Sequence, residues 1–244
     1  MEPPILSVSE VSMHFGGLQA LFDLSFDVQE GQAIGLMGPN GAGKSTLMNI
    51  ISGGYKPSSG TIKFKQHNIT AMDPYKICHL GIARTFQIPQ PFLDLTVLQN
   101  LIVAAEYGRG LGKTMAESEA NKILEMVDLC DKEDTYARDL NSITLKRLEL
   151  ARALATQPTL LLLDEVASGL TEKEIPRVLQ ILRRIRDMGI TYIMIEHVMR
   201  FMKKSVDKII VIDKGIKIAE GLSSEVMKNS RVIEAYLGKS MLKT

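Results

Sequence analysis

The run Gly38-Pro39-Asn40-Gly41-Ala42-Gly43-Lys44-Ser45-Thr46 constrains this chain more than any other stretch. It joins two segments of different period. Ala33-Ile34-Gly35-Leu36-Met37 is an unbroken apolar run of strand length, and Leu47, Met48, Ile50 and Ile51 follow at helical spacing. A strand that turns through Gly-x-x-x-x-Gly-Lys-Ser into a helix is a cradle for phosphate groups. Gly38, Gly41 and Gly43 let the backbone curl so that successive N–H groups face one anion. The positive end of the following helix adds to that field. Lys44 places a point charge against the terminal phosphates, and Ser45 offers a hydroxyl to Mg²⁺. A nucleotide is the expected ligand, with Pro39, Asn40, Ala42 and Thr46 completing the loop that holds it.

Such a loop needs an acidic partner at the end of another buried strand to hold the metal. Leu160-Leu161-Leu162-Leu163-Asp164-Glu165 supplies it, with Asp164 lying 120 residues beyond Lys44. Asp164 is expected to be the metal carboxylate. Glu165 is expected to polarise the attacking water, the alternative being an acid that only supports Asp164.

Around these two motifs the periodicity changes along the chain. Residues 5–11 and 24–28 alternate apolar and polar side chains between turns at Gly16-Gly17 and Glu30-Gly31, as strands do, and 61–64 reads as another strand. Between 74 and 157 the spacing is mostly helical, over 97–107, 116–129 and 145–156, with 108–112 a loop tip. A helix over 175–188 carries Ile175, Val178, Leu179, Leu182 and Ile185 on one stripe. Its other face holds Arg177, Arg183, Arg184 and Arg186, expected to be solvated rather than to bind nucleic acid. Residues 191–195 form a buried strand, 209–212 and 216–219 a hairpin, and 224–237 a helical tail. The predicted class is α/β: a phosphate-loop core with a mainly parallel sheet covered by helices on both faces. An N-terminal antiparallel β subdomain and an inserted helical subdomain complete it. One domain over 1–244 is expected, with 1–73 and 158–244 as the nucleotide-binding core and 74–157 mainly helical.

Composition removes several classes. Lys and Arg number 29 against 28 acidic residues, so there is no global pull toward nucleic acid or anionic lipid. Cys78 and Cys130 stand far apart without a nearby ligand partner, and read as two reduced structural thiols in a cytosolic protein. No apolar run approaches the roughly 18–20 residues that cross a bilayer, and Met1-Glu2-Pro3-Pro4 does not open a signal peptide. Attachment to a membrane protein stays open.

Taken together, these residues resemble the ATP-binding cassette family of transport ATPases over nearly the whole chain. The resemblance implies ATP and Mg²⁺ as cofactors and assigns three further positions. Phe15, 29 residues before Lys44, sits where an aromatic ring stacks on adenine, a core phenylalanine being the alternative. Gln87, in Ala83-Arg84-Thr85-Phe86-Gln87, matches the glutamine that senses Mg²⁺ and water. His197 matches the histidine that contacts the terminal phosphate, although by itself it is an ordinary strand-end residue. Phe15-Gly16-Gly17-Leu18-Gln19-Ala20-Leu21, the Arg84–Gln87 segment, Glu165-Val166-Ala167-Ser168-Gly169-Leu170 and Ala219-Glu220-Gly221 are similar to ATPase subunits of branched-chain amino-acid importers. Exporters of the same family share some of these features. The resemblance places the protein in the cytoplasm, peripheral on the inner face of the membrane, with integral-membrane permease subunits as partners. Residues 88–101 would face the permease.

The chain departs from the family at its signature loop. Where Leu-Ser-Gly-Gly-Gln is usual, this sequence has Leu140-Asn141-Ser142-Ile143-Thr144. In the family that loop closes on ATP held by the opposite subunit, and glycine permits the close approach. Asn141, Ser142, Ile143 and Thr144 form a degenerate version, so the expected partner is a second, different ATPase subunit rather than an identical copy. Thr171-Glu172 also replaces the usual pair in the loop between subunits. Two rival readings are a weakly catalytic regulatory subunit and a soluble cassette ATPase acting on ribosomes or DNA. The latter usually carries two cassettes or long coiled coils, and this chain has neither.

Overall fold

The structure is a computed structural model that describes residues 3–237. Met1 and Glu2, read above for a leader, and the chain beyond Leu237 lie outside the described residues. Contacts gather the chain into two compact units, one holding residues up to Pro74 and from Thr191 onward, the other Tyr75–Ile190.

The first unit opens with β1 (Leu6–Phe15) and β2 (Leu18–Val28), an antiparallel hairpin turned at Gly16-Gly17. Both strands run longer than their alternation suggests, because register shifts between Val8 and His14 interrupt the period. On β2, Leu24, Phe26 and Val28 are buried at a spacing that keeps them on one face. Next, β3 (Ala33–Met37) is buried at every position, as a strand covered on both faces must be. It leads through the glycine loop into α1 (Lys44–Ile51). β4 (Ser59–Phe64) and the short β5 (His67–Asn68) complete an antiparallel sheet of order β2-β1-β4-β5.

The second unit holds α2 (Pro74–Leu80), β6 (Ile82–Arg84), α3 (Val97–Arg109), α4 (Lys113–Met126), α5 (Ser142–Ala155), β7 (Leu160–Asp164) and α6 (Ile175–Asp187). Thr96 caps α3: its hydroxyl accepts the Gln99 N–H at 3.2 Å while Gln99 accepts the Thr96 N–H at 2.9 Å. β6 and β7 pair in parallel. On α6, Val178, Leu179, Ile181, Leu182 and Ile185 are buried, each worth about 1.5–3 kcal/mol of apolar transfer.

The chain then returns to the first unit with β8 (Thr191–Ile195), α7 (Met199–Ser205), β9 (Lys208–Asp213), β10 (Ile216–Gly221), α8 (Ser223–Val226) and α9 (Ser230–Leu237). β3 runs parallel to both β8 and β9, and β9 pairs antiparallel with β10. The α/β class expected from the sequence therefore holds: parallel ladders with helices, an antiparallel N-terminal sheet and a helical insert.

Three details go beyond the sequence reading. Residues 158–190 gather by contacts with the helical segment, because β7 pairs with β6 and α6 is tied to the end of α4. The helical tail is two helices, and at their junction the Asn229 Oδ1 accepts the Arg231 N–H at 2.9 Å, starting α9 afresh. The third concerns the arginines of α6. Helix α4 stops at Met126 because Asp128 takes a left-handed backbone, φ 56°, which Asp tolerates better than most residues. Arg177 Nε donates to its Oδ2 at 2.8 Å and Arg184 Nη1 to its Oδ1 at 3.4 Å, while Arg147 Nη1 donates to its carbonyl at 3.0 Å. Arg177 and Arg184 are thus structural, not simply solvated; Arg183 and Arg186 are exposed.

Burial pushes the Asp128 carboxyl upward, but the bonds and charges of Arg177 and Arg184 outweigh it and hold the group below its ordinary value. A depressed carboxyl stabilises the fold above its unfolded pKa and loses that contribution as the pH falls through the folded value. Asp128→Asn keeps the left-handed backbone and removes the charge. Urea unfolding should show a loss of about 0.5–1 kcal/mol at neutral pH, a value discounted for solvent screening. The difference should shrink as the pH drops below about 4.

Candidate functional site

Each glycine in the loop that matters answers to a neighbour. Gly38 has φ 149°, and a methyl group on it would overlap the Ile212 carbonyl oxygen of β9. Gly43 has φ 103°, and a Cβ there would stand 2.6 Å from the Ala20 carbonyl oxygen and from Leu21 of β2. Gly43 also begins α1, and no side chain caps that helix end. The first-turn N–H groups of a helix left in this way suit an anion. Lys44 is buried, and its Nζ donates to the carbonyls of Gly38 at 2.7 Å and Pro39 at 2.9 Å. The ammonium is thereby held across the open side of the curl. Ser45, in the first turn of α1, is exposed.

The same unit carries Phe15 and His197. Phe15 is exposed at the end of β1, its ring 5.4 Å from that of Tyr55 and edge-on to it. Tyr55 follows the stop at Gly53-Gly54; its aromaticity was visible in the sequence, its pairing with Phe15 was not. His197 is exposed two residues past β8. The parallel register matches Leu36 with Ile195, so β3 and β8 leave the sheet at the same edge and release Gly38 and His197 there. Ligands of parallel sheets collect at that carboxyl edge. A residue the sequence reading missed also touches the loop: Tyr236 of α9 accepts the buried Gly38 N–H on its hydroxyl at 2.8 Å. Beside it, the loop, the β9–β10 turn and α9 enclose a cleft of about 670 Å³ reached by Asn40, Lys214 and Arg231.

The second unit holds the acidic residues and the glutamine. Its parallel register pairs Arg84 with Leu162, so Gln87 and Glu165 each lie three residues beyond a matched pair. They meet: Gln87 Nε2 donates to Glu165 Oε2 at 3.0 Å. Asp164 is buried, with its N–H on the Thr85 hydroxyl at 3.1 Å and its Oδ2 3.4 Å from Arg84 Nη2. Glu165 is half-buried and has a left-handed backbone, φ 50°. The segment after Gln87 is anchored by α5, whose Arg152 Nη1 donates to the Gln90 carbonyl at 2.6 Å. Asn100, fully buried in α3, fixes the continuation by exchanging hydrogen bonds with the Phe92 backbone at 2.9 and 3.0 Å. Phe86, Ile88, Phe92 and Leu93 are exposed, whereas Val97 and Leu101 are buried. Within 88–101 the exposed apolar side chains are therefore confined to the first half, because the rest turns inward as α3.

At the degenerate loop, Asn141 serves as the cap of α5, its Oδ1 accepting the Thr144 N–H at 2.9 Å. Asn141 and Ser142 are exposed, Thr144 is buried, and Ile143 is half-buried against a small apolar hollow. Phe15, the glycine loop and His197 thus fall in the first unit, and Gln87, Asp164, Glu165 and residues 141–144 in the second.

A glycine loop that ends in an uncapped helix, with a buried lysine across it, defines a phosphate-binding α/β protein. The model of the ABC transporter family matches residues 21–168, and that of the branched-chain amino acid ATP-binding cassette transporter matches residues 217–240. The chain is 36% identical over 255 residues to the high-affinity branched-chain amino acid transport ATP-binding protein LivG of Salmonella typhimurium, covering 98% of this chain and all (100%) of that one. With the probable LivG of Archaeoglobus fulgidus it shares 37% identity over 245 residues, 96% of this chain and 95% of the other. A crystal structure of a nucleotide-free ATP-binding cassette from an ABC transporter superposes with a TM-score of 0.86 at 32% identity, over 97% of this chain and 100% of that one. The chain belongs to the ABC transporter family, as an ATPase whose hydrolysis of ATP is coupled to transport.

Replacing Tyr236 with Phe leaves the buried Gly38 N–H without its acceptor, which should cost about 1–2 kcal/mol. Denaturant midpoints of parent and variant measure this directly; coincident midpoints would detach α9 from the loop.

Proposed function

We propose that this chain is the ATP-binding and hydrolysing subunit of an importer for branched-chain or other hydrophobic amino acids. The observation that carries the catalytic part is the direct bond between Gln87 and Glu165 at 3.0 Å, formed where two parallel strands end. The substrate class rests on the full-length similarity to branched-chain amino acid transport proteins and on the match of residues 217–240.

Gly38–Thr46 holds the triphosphate, Lys44 neutralises its terminal groups, Phe15 stacks on adenine and His197 approaches the terminal phosphate. The glycine loop fits such a tail: at Gly38 and Gly43 a Cβ would collide with neighbouring strands, and the end of α1 is uncapped. Ser45, Gln87 and Asp164 offer the hard oxygen donors that suit Mg²⁺, in part through water. When bound, the metal spreads the negative charge of the phosphates. Glu165 accepts a proton from the attacking water, and Gln87 orients Glu165 by donating to its carboxylate.

Among the described residues no helix is long and apolar enough to cross a membrane. The exposed side chains Phe86, Ile88, Phe92 and Leu93 supply the docking surface for a permease, with the subunit peripheral on the inner face of the membrane; the similarity to branched-chain amino acid transport ATP-binding proteins supports this reading. Pairing with a second, different ATPase subunit is supported by residues 141–144. The acceptor end of Asn141 is committed to its own helix, and Ile143 replaces a glycine with a branched side chain. The same observation favours, as a second reading, a nucleotide-binding regulatory subunit with little turnover of its own.

Lys44→Ala should weaken ATP binding about 10–100-fold by calorimetry, the value of one charge-assisted bond. Glu165→Gln should bind ATP as the parent does and hydrolyse it about 100-fold more slowly or worse, as loss of a general base predicts. The purified chain alone should turn over far below the rate it reaches when mixed with a cassette partner carrying Leu-Ser-Gly-Gly-Gln. Full activity in isolation would rule out the asymmetric pair, and no gain on mixing would favour the regulatory reading.

A further inference from the structure

Helix α5 reaches back to Glu165 in a way that none of the assigned roles uses. Lys146 lies in its first two turns, and its Nζ donates to the Glu165 carbonyl at 3.2 Å and to the Ser168 carbonyl at 2.6 Å. The Glu165 carbonyl also accepts the Ser168 N–H at 3.2 Å, so a tight turn closes directly behind the carboxylate. That turn starts from a left-handed Glu165, φ 50°, a conformation that costs a residue with a Cβ and persists only when its surroundings hold it. A cation donating to both carbonyls of the turn is such a hold, and a charged donor makes the bonds stronger than neutral ones.

The lysine is itself fixed. Lys146 borders a small hollow with Ile143, Leu150, Val166 and Leu170, so apolar neighbours flank it while the ammonium reaches the carbonyls. Ile143 precedes Lys146 by one helical turn and faces the same hollow. The first turns of α5 therefore grip the segment from Glu165 to Leu170 by two hydrogen bonds from a charged donor and by apolar contact. The side chain of Glu165 is meanwhile held at its other end by Gln87.

We propose that Lys146 is a positioning residue for Glu165: its ammonium clamps the carbonyls of Glu165 and Ser168 and so aims the carboxylate at the attacking water. The inference rests on the reading of Glu165 as the base. It also gives the segment 141–146 a task inside its own subunit, since any shift of the start of α5 is felt at Glu165.

The test uses the full chain assembled with its permease and cassette partner. Lys146→Met keeps the stem and removes the ammonium; Lys146→Arg keeps a cation with donors for both carbonyls. With Met, kcat should fall about 10–100-fold, the usual cost of a misaimed catalytic group, while KM for ATP stays within about twofold. Arg should restore most of the rate. In single turnovers, Lys146→Met added to Glu165→Gln should slow hydrolysis no further, because the lysine acts through the glutamate. Amide exchange at Ser168 should accelerate in the Met variant and not in the Arg variant. An unchanged kcat with Met, or a full additional loss in the double variant, would overturn the proposal. If Glu165→Gln alone hydrolyses at the parent rate, the base assignment fails first and the proposal falls with it. A slow Glu165→Gln beside a normal Lys146→Met would sink the proposal alone.

Discussion

The close approach of β3 to β9 governs the unit that holds the glycine loop. Gly38 ends β3 against the Ile212 carbonyl, where no side chain fits, and only a backbone without Cβ takes its φ of 149° at ease. From that point the chain curls, passes Gly43 beneath β2 and enters α1 with its N-terminal end uncapped. Lys44 then closes the curl by bonding two carbonyls of the loop itself. A preformed shape of this kind binds a phosphate tail without first ordering the loop, which lowers the entropic cost of capture. Tyr236 adds an anchor from the other end of the chain.

In the second unit a single helix organises the segments around Gln87 and Glu165. Along α5, Asn141 caps the start, Lys146 holds the turn behind Glu165, Arg147 reaches the Asp128 carbonyl, and Arg152 holds Gln90. Glu149, between them, accepts from the Gln90 N–H and pairs with Arg152; burial, only partly offset by Arg152, pushes its carboxyl upward. Side chains spaced three or four apart share a face, so one rigid helix can set the positions of several segments at once. The segment after Gln87 and the turn after Glu165 are short and irregular, and without such bonds their backbone groups would wander. Their geometry is a property of α5 as much as of their own residues.

The local motifs were legible because their physics is local. The glycine loop needs its glycines, its lysine and its flanking strand and helix within a few residues of one another. β3, β7 and β8 were readable as uninterrupted apolar runs, since strands buried on both faces carry no polar alternation. Strand lengths in the first sheet were underestimated where register shifts broke the alternation, and the tail was read as one helix because Asn229 is an unremarkable residue until it caps. The arginines of α6 show the limit most plainly. Arg177 bonds a residue 49 positions away and Arg184 one 56 positions away, and nothing in their own helix announces it.

What the amino-acid order determined by itself is the chemistry available: a phosphate loop and a carboxylate at a strand end. Those follow from residue type and short spacing, because curling a backbone or ending a strand involves only neighbours. What the tertiary structure alone decided is which groups meet. Gln87 finds Glu165 across 78 residues, Tyr236 finds Gly38 across 198, and Lys146 lies against the turn its own helix supports. Such meetings depend on how helices and strands pack, a sum over many weak apolar contacts that no single position encodes.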